Sequence, residues 1–291
     1  MSVLLDPFGY SFFVKGLIVA TLAGGLCGLI GVYITLRGMS YIGHGLSHAI
    51  FGGFAASSII GINYYVGAGI WGLASALAIN KVTRNKRIGA DAAIGVITTA
   101  SFALGVALLS RYGSKGASFD NALFGSILGV GTSDIWALVG ITAFTAVVIF
   151  VNYRALLFAT FDPDVADVSG VSVARLDALL MLVLSLAILA TLTVIGVTLV
   201  AATLVIPAVV ARMLTNRFST MLWLSTAIGT ASGFVGMNLS YHLNVPSGTT
   251  IVLTSASAFA LVLLVTGGRR LRRTAGLDHH EAPGPAVAAS A

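Results

Sequence analysis

The chain is a succession of apolar runs, and almost every charged residue falls between the runs rather than inside them. Crossing the ~30 Å hydrocarbon core of a bilayer takes ~20 apolar residues as a helix, and in lipid an α-helix satisfies its own backbone. Spanning helices are therefore predicted near 14–36, 43–62, 65–80, 91–110, 133–152, 176–195, 197–214, 220–242 and 249–266. The count is nine, or eight if the short 65–80 run does not cross; the long 176–214 run is cut at Gly196. The fold class is thus all-α, a polytopic transmembrane helical bundle. Composition agrees: 57% of residues are hydrophobic and 9% are charged, against about 25% charged in a soluble domain.

The formal net charge is +6. Because the basic residues sit in short segments between apolar runs, they set orientation in the membrane and do not point to nucleic acid. With the N-terminus outside and the C-terminus inside, thirteen Lys/Arg fall on or near the cytoplasmic side (Arg37, Lys81, Arg84, Lys86, Arg87, Arg154, Arg175, Arg212, Arg217, Arg269, Arg270, Arg272 and Arg273). Three fall outside, namely Lys15, Arg111 and Lys115. Residues 1–274 read as one membrane domain, and the Ala/Pro/Gly-rich 275–291 as a disordered cytoplasmic tail. A cleavable signal peptide is not expected, since Asp6 and no basic residue precedes the first run. The outer segment 111–132 is expected to hold a short surface helix over 121–129.

Several chemistries are excluded by what is missing. No Gly-Lys dipeptide occurs, so there is no Walker A loop. No HExxH occurs, so a zincin-type protease is unsupported. The single cysteine, Cys27, cannot form an internal disulfide and reads as a buried, inert thiol. Gly24-x-x-x-Gly28 and Gly229-x-x-x-Gly233 read as helix-packing faces.

The ionisable groups expected in the apolar interior are His44, His48 and His242. His44 and His48 are four residues apart, so a helix puts both rings on one face. Such a pair either shares a transition-metal ion, for which neutral imidazole is a good ligand, or hydrogen-bonds across a helix interface. His242 lies near an outer end and reads as interfacial. In the longest inner loop, Asp162 before Pro163 has the signature of a helix N-cap, with a stop at Gly170. Pro207 lies within an apolar run and is expected to kink it. His279, His280 and Glu281 in the tail read as solvated.

Four ordered stretches carry a family resemblance that covers about residues 10–266: LRGMSYIGHGLSHAIFGG (36–53), FDPDVADVSGV (161–171), GVTLVAATLVIPAVVARMLT (196–215) and PSGTTIVLTSASAF (246–259). They resemble the permease subunits of bacterial metal-type (Mn/Zn/Fe) ABC importers, smaller relatives of the vitamin B12 and siderophore permeases. The resemblance implies a multi-pass protein of the bacterial cytoplasmic membrane that forms the path of an ATP-driven importer for divalent metal ions. It implies pairing with a second permease, docking of a separate ABC ATPase that binds the ATP, and delivery by a metal-binding lipoprotein or periplasmic protein. The permease itself would be no enzyme and hold no permanent cofactor. Transient metal ligands would be His44 and His48. ATPase coupling would fall to Phe161, Asp162, Pro163, Asp164, Val165, Asp167 and Gly170, and gating or packing to Gly196 and Pro207. The family usually reads IGDALSH in the first motif, so His44 stands where an Asp is usual. Imidazole in place of carboxylate suits softer or borderline ions such as Zn and brings a group that titrates near ~6.5. The competing expectations are a permease for an iron chelate or cobalamin, an ATPase-independent secondary transporter, and an intramembrane metalloenzyme drawing further ligands from His242, Asn63 or Asn238.

Overall fold

In the computed structural model the described residues are 6–83, 90–112, 123–126 and 130–277. They form helices α1 (Ser11–Leu36), α2 (Ser40–Ile60), α3 (Tyr64–Thr83), α4 (Ala90–Tyr112), α5 (Thr132–Val151), α6 (Tyr153–Phe161), α7 (Pro163–Val168), α8 (Val173–Ile195), α9 (Val200–Leu214), α10 (Phe218–Leu243) and α11 (Ser247–Leu277). Among the described residues there is no strand. Each predicted span coincides with one of these helices.

By length and apolarity alone, five segments among the described residues can cross a membrane: α1, residues 92–112 of α4, α5, α8, and residues 247–266 of α11. The other four fall short individually for plain reasons. Helices α2, α3 and α10 dilute their apolar residues with Gly, Ser, Thr and His or Asn. Helix α9 has only 15 residues, a rise of about 22 Å. Of the expected outer helix at 121–129, residues 123 and 124 are helical, Gly125 turns out of it at φ 77°, and 121–122 and 127–129 lie outside the described residues. Residues 278–291 of the expected tail also lie outside them.

Helix α1 is the hub. It is apolar on every side and buried on nearly every side, with Phe13, Leu26, Ile30, Tyr33 and Ile34 in the core and Cys27 fully enclosed. Helix α8 is buried to a similar degree. Trp136 and Val147 of α5, Trp223 of α10, and Leu261 and Leu264 of α11 point outward and are exposed. Such a surface is unfavourable in water and natural against lipid tails.

The two Gly-x-x-x-Gly faces meet each other. A Cβ on Gly24 would land on the carbonyl of Gly229, one on Gly229 on the carbonyl of Gly24, and one on Gly233 on the carbonyl of Ala20. The backbones of α1 and α10 thus touch, and Ser225 Oγ donates a 2.6 Å hydrogen bond to the Gly28 carbonyl across the seam.

Chain ends gather at two poles. At one pole, the end of α1, the α6–α7 segment, the start of α8 and the start of α10 converge: Phe218 packs on Tyr33, Tyr153 and Phe161. This pole carries Arg37, Arg154, Arg175 and Arg217. At the other pole, Gly196 ends α8 with φ 84° and ψ 154°, a conformation essentially confined to glycine. A side chain there would also strike the backbone of residues 123–125. Thr198 donates to the Leu123 carbonyl from its hydroxyl at 2.7 Å, and Ser247 Oγ donates to the Val194 carbonyl at 2.8 Å. Helix α9 continues through Pro207, which is buried.

Candidate functional site

Helix α2 begins three residues after α1 ends, through Arg37, Gly38 and Met39. Its Ile42, Gly43, Leu46, Ser47 and Ile50 face the core. Tyr41, His44 and His48 occupy the opposite stripe, as i, i+3 and i+7 spacing requires. On the single protomer His44 is exposed and His48 half-buried. The rings stand on an open face of the protomer because the core side of this helix takes the glycines and aliphatic residues.

A cavity of about 210 Å³ lies against this stripe, lined by Tyr41, His44, Gly45, His48, Thr98, Thr99 and Phe102. The second wall is α4. Helices α2 and α4 approach closely at Gly52 and Gly105, where a Cβ on Gly105 would sit 2.9 Å from the Gly52 Cα. Ser101 Oγ donates to the Ala49 carbonyl at 2.9 Å and accepts from the Trp71 ring N–H at 2.7 Å, tying α2, α3 and α4 together.

The two imidazoles face each other with centroids 4.4 Å apart, and His48 packs edge-on against Phe102 at 4.8 Å. His48 Nδ1 lies 2.9 Å from the His44 carbonyl. A carbonyl only accepts, so Nδ1 carries the proton in this contact, and in the neutral ring Nε2 then keeps its lone pair. This is the tautomer a metal ligand needs, with the other nitrogen fixed by the backbone. The rings are near enough for one ion to reach both with small rotations at the ~2.0–2.1 Å usual for metal–imidazole bonds. The rest of the lining offers hydroxyls from Tyr41, Thr98 and Thr99. Among the described residues no group of three or more His, Cys, Asp or Glu surrounds a possible ion position. The pair therefore makes a weak, open station and not a closed cage.

His242 is exposed at the end of α10, packed edge-on to Tyr241, far along the chain from the pair and on the pole where Tyr241 meets Tyr10 and Phe13. Asn63 caps the start of α3 through Tyr65 N–H, and Asn238 donates to its own helix at the Phe234 carbonyl. None of the three joins the cavity lining.

At the basic pole, Asp162 accepts a 3.1 Å hydrogen bond from Val165 N–H and caps α7, which begins at Pro163. Gly170 follows the helix with φ 85°. Val165 and Val168 are exposed while Ala166 is buried, so α7 rests on the bundle by one side and offers an apolar face with Asp164 and Asp167 beside it.

Sequence reasoning missed three things here. Thr98, Thr99 and Phe102 come from α4, which carries no titratable signal at those positions. Asp134, buried in the first turn of α5, accepts from Gly131 N–H at 2.8 Å and from the Tyr65 hydroxyl. Arg37 is paired with Asp177; the only clue was an acid at the edge of an apolar run.

Residues 9–266 match the sequence model described as the ABC 3 transport family. The chain is 41% identical over 252 residues, 87% of its length and 86% of the relative's, to the manganese transport system membrane protein MntC of Halalkalibacterium halodurans. It is 35% identical over 270 residues to the manganese import system permease protein ScaB of Streptococcus parasanguinis, covering 93% of this chain and 96% of that one. Among solved structures, PsaBC from Streptococcus pneumoniae in complex with Fab superposes with a TM-score of 0.82 at 33% identity, over 90% of this chain and 95% of that one.

Proposed function

The chain belongs to the ABC 3 transport family and is a membrane permease of a metal-type ABC importer; on that premise we propose that its cargo passes the His44–His48 station as a bare or partly hydrated divalent transition-metal ion. Manganese leads the candidates, since the MntC and ScaB relatives are named for it, and zinc and iron are the competing ions. The observation that carries the reading is the exposed histidine stripe facing a small cavity. Paired imidazoles with free ligand positions suit a bare ion better than a chelate or cobalamin, whose metal is already coordinated.

The exposed stripe supports a path completed by a second permease copy, with each copy contributing a histidine pair. Two nitrogen ligands and a few hydroxyls per copy bind an ion loosely enough to release it, which a closed tetrahedral site would not. The α7 segment, with Phe161 and Val165 exposed and Asp162, Pro163, Asp164, Asp167 and Gly170 shaping it, docks a separate ATPase from the cytoplasm. A metal-binding lipoprotein or periplasmic protein loads the opposite pole. There Gly196, its turn pinned to residues 123–126, together with Pro207 in α9, forms the gate.

The test is cellular metal content in a strain lacking this permease, grown metal-limited and complemented with wild type or with His44→Ala/His48→Ala. A selective loss of manganese, zinc or iron restored only by wild type names the cargo and supports the station. Full restoration by the double variant removes the histidines from the path, and no change in any metal removes the metal reading for this cavity.

A further inference from the structure

Arg37 is the first residue after α1, and its side chain is only 8% exposed. A charge buried to that extent must be paired and hydrogen-bonded. Its Nη1 donates to Asp177 Oδ1, and its Nε donates to Thr160 Oγ at 3.1 Å. Thr160 can accept because its own hydroxyl proton goes to the Leu156 carbonyl at 2.6 Å. The remaining nitrogen, Nη2, is buried with no hydrogen-bond partner.

The chain positions of the two partners matter more than the bonds themselves. Thr160 lies in the last turn of α6, two residues before the Asp162 cap of α7. Asp177 lies in the second turn of α8, the next helix after α7. One guanidinium thus holds both chain segments that flank α7. Arg37 itself opens the three-residue joint, with Gly38 at φ 67°, that leads into α2 and reaches His44 seven residues later. Among the described residues no other polar contact joins the flanks of α7 to this joint.

We propose that Arg37 is a positioning residue that transmits displacement of the 161–171 segment to α2 and so to the histidine stripe. A planar fork with five fixed donors suits this role, because a shift of α6 or α8 redirects it as a unit. Nη2 is a donor in reserve: a shift of α6 or α8 that brings it an acceptor, such as a second oxygen of Asp177, would satisfy a buried group left unpaired here. A second hydrogen-bonded arrangement of this contact is what a switching element requires. The inference rests on the reading of 161–171 as the ATPase-docking segment.

The experiment uses the assembled permease–ATPase complex in proteoliposomes, with Mn²⁺ supplied by the cognate binding protein, measuring ATP hydrolysis and Mn²⁺ uptake in the same vesicles. Arg37→Lys keeps the charge and loses the fork; Asp177→Asn keeps the shape and loses the charge. Both are expected to leave hydrolysis within about twofold while uptake per ATP falls about tenfold. The exchange Arg37→Asp/Asp177→Arg is expected to recover part of that ratio. An unchanged uptake-to-ATP ratio in both single variants, or hydrolysis and uptake falling in proportion, overturns the relay. A separate variant, Asp162→Ala, removes the α7 cap and is expected to weaken co-purification of the ATPase. Retention of the ATPase in that variant and in one with Val165→Asp and Val168→Asp overturns the docking reading instead, independently of the Arg37 ratio.

Discussion

The seam between α1 and α10 and the cavity between α2 and α4 both begin from helices rich in small residues, yet they end in opposite states. At the seam, Gly24 meets Gly229, with Gly233 against Ala20 and Gly28 against Ser225 on either side; the backbones touch, and one serine hydroxyl bridges the gap. Nothing titratable is present and no room is left. Between α2 and α4 the close approach is made at Gly52 and Gly105. Nearer the start of both helices the facing residues are His44, His48, Thr98, Thr99 and Phe102, and a cavity remains. The same packing device serves as a permanent weld in one place and as a local clamp in the other. Polar chemistry stands where the clamp leaves off.

The harshest way to break this comparison is Gly229→Leu. Its side chain would have to occupy the Gly24 carbonyl, and the backbone contact leaves no rotamer to escape into. Overpacking of this kind costs about 3 kcal/mol or more, so the purified protein is expected to lose its cooperative melt or fail to accumulate. Ser225→Ala is gentler. It strips a buried carbonyl of a donor while leaving the packing, a loss of about 1 kcal/mol, visible as a fall of a few degrees in melting temperature of the detergent-solubilised protein. The sharpest contrast is His44→Ala/His48→Ala, which removes side chains from an open face. Stability is expected to move by less than about 0.5 kcal/mol, although uptake collapses in the cellular assay. A double variant that melted like Ser225→Ala or worse would mean the rings belong to the weld and not to the path.

Much of this was legible in the chain before any coordinates. The bilayer demands a fixed apolar length, so the helices announced themselves, as did the joint at Gly196, where a charge-free run had to be cut. The i, i+4 histidines and the Asp162-Pro163 cap are local patterns, and local patterns survive folding. Pairings over long separations were not legible. Both glycine motifs read as packing faces, but nothing in the sequence says that residue 24 meets residue 229. Likewise the cavity's second wall comes from threonines and a phenylalanine some fifty residues beyond the histidines, with no chemical mark to single them out. Charges at span ends told of orientation, not that Arg37 among them would be drawn inside to hold Asp177. The open position of His44 is a further case: hydropathy averages over a helix and cannot say which stripe faces the core.

Helix α9 is too short, at 15 residues, to match the thickness of a bilayer by itself. The shortfall is made up by the irregular stretch at 196–199, where Gly196 and Val197 are buried and Thr198 is tied to Leu123. Lipid tails cannot solvate such a backbone. Were those ties loosened, the freed amides and carbonyls would draw in water and repel oil, so hydration would be the first event as this corner of the molecule opens, ahead of any passage of an ion.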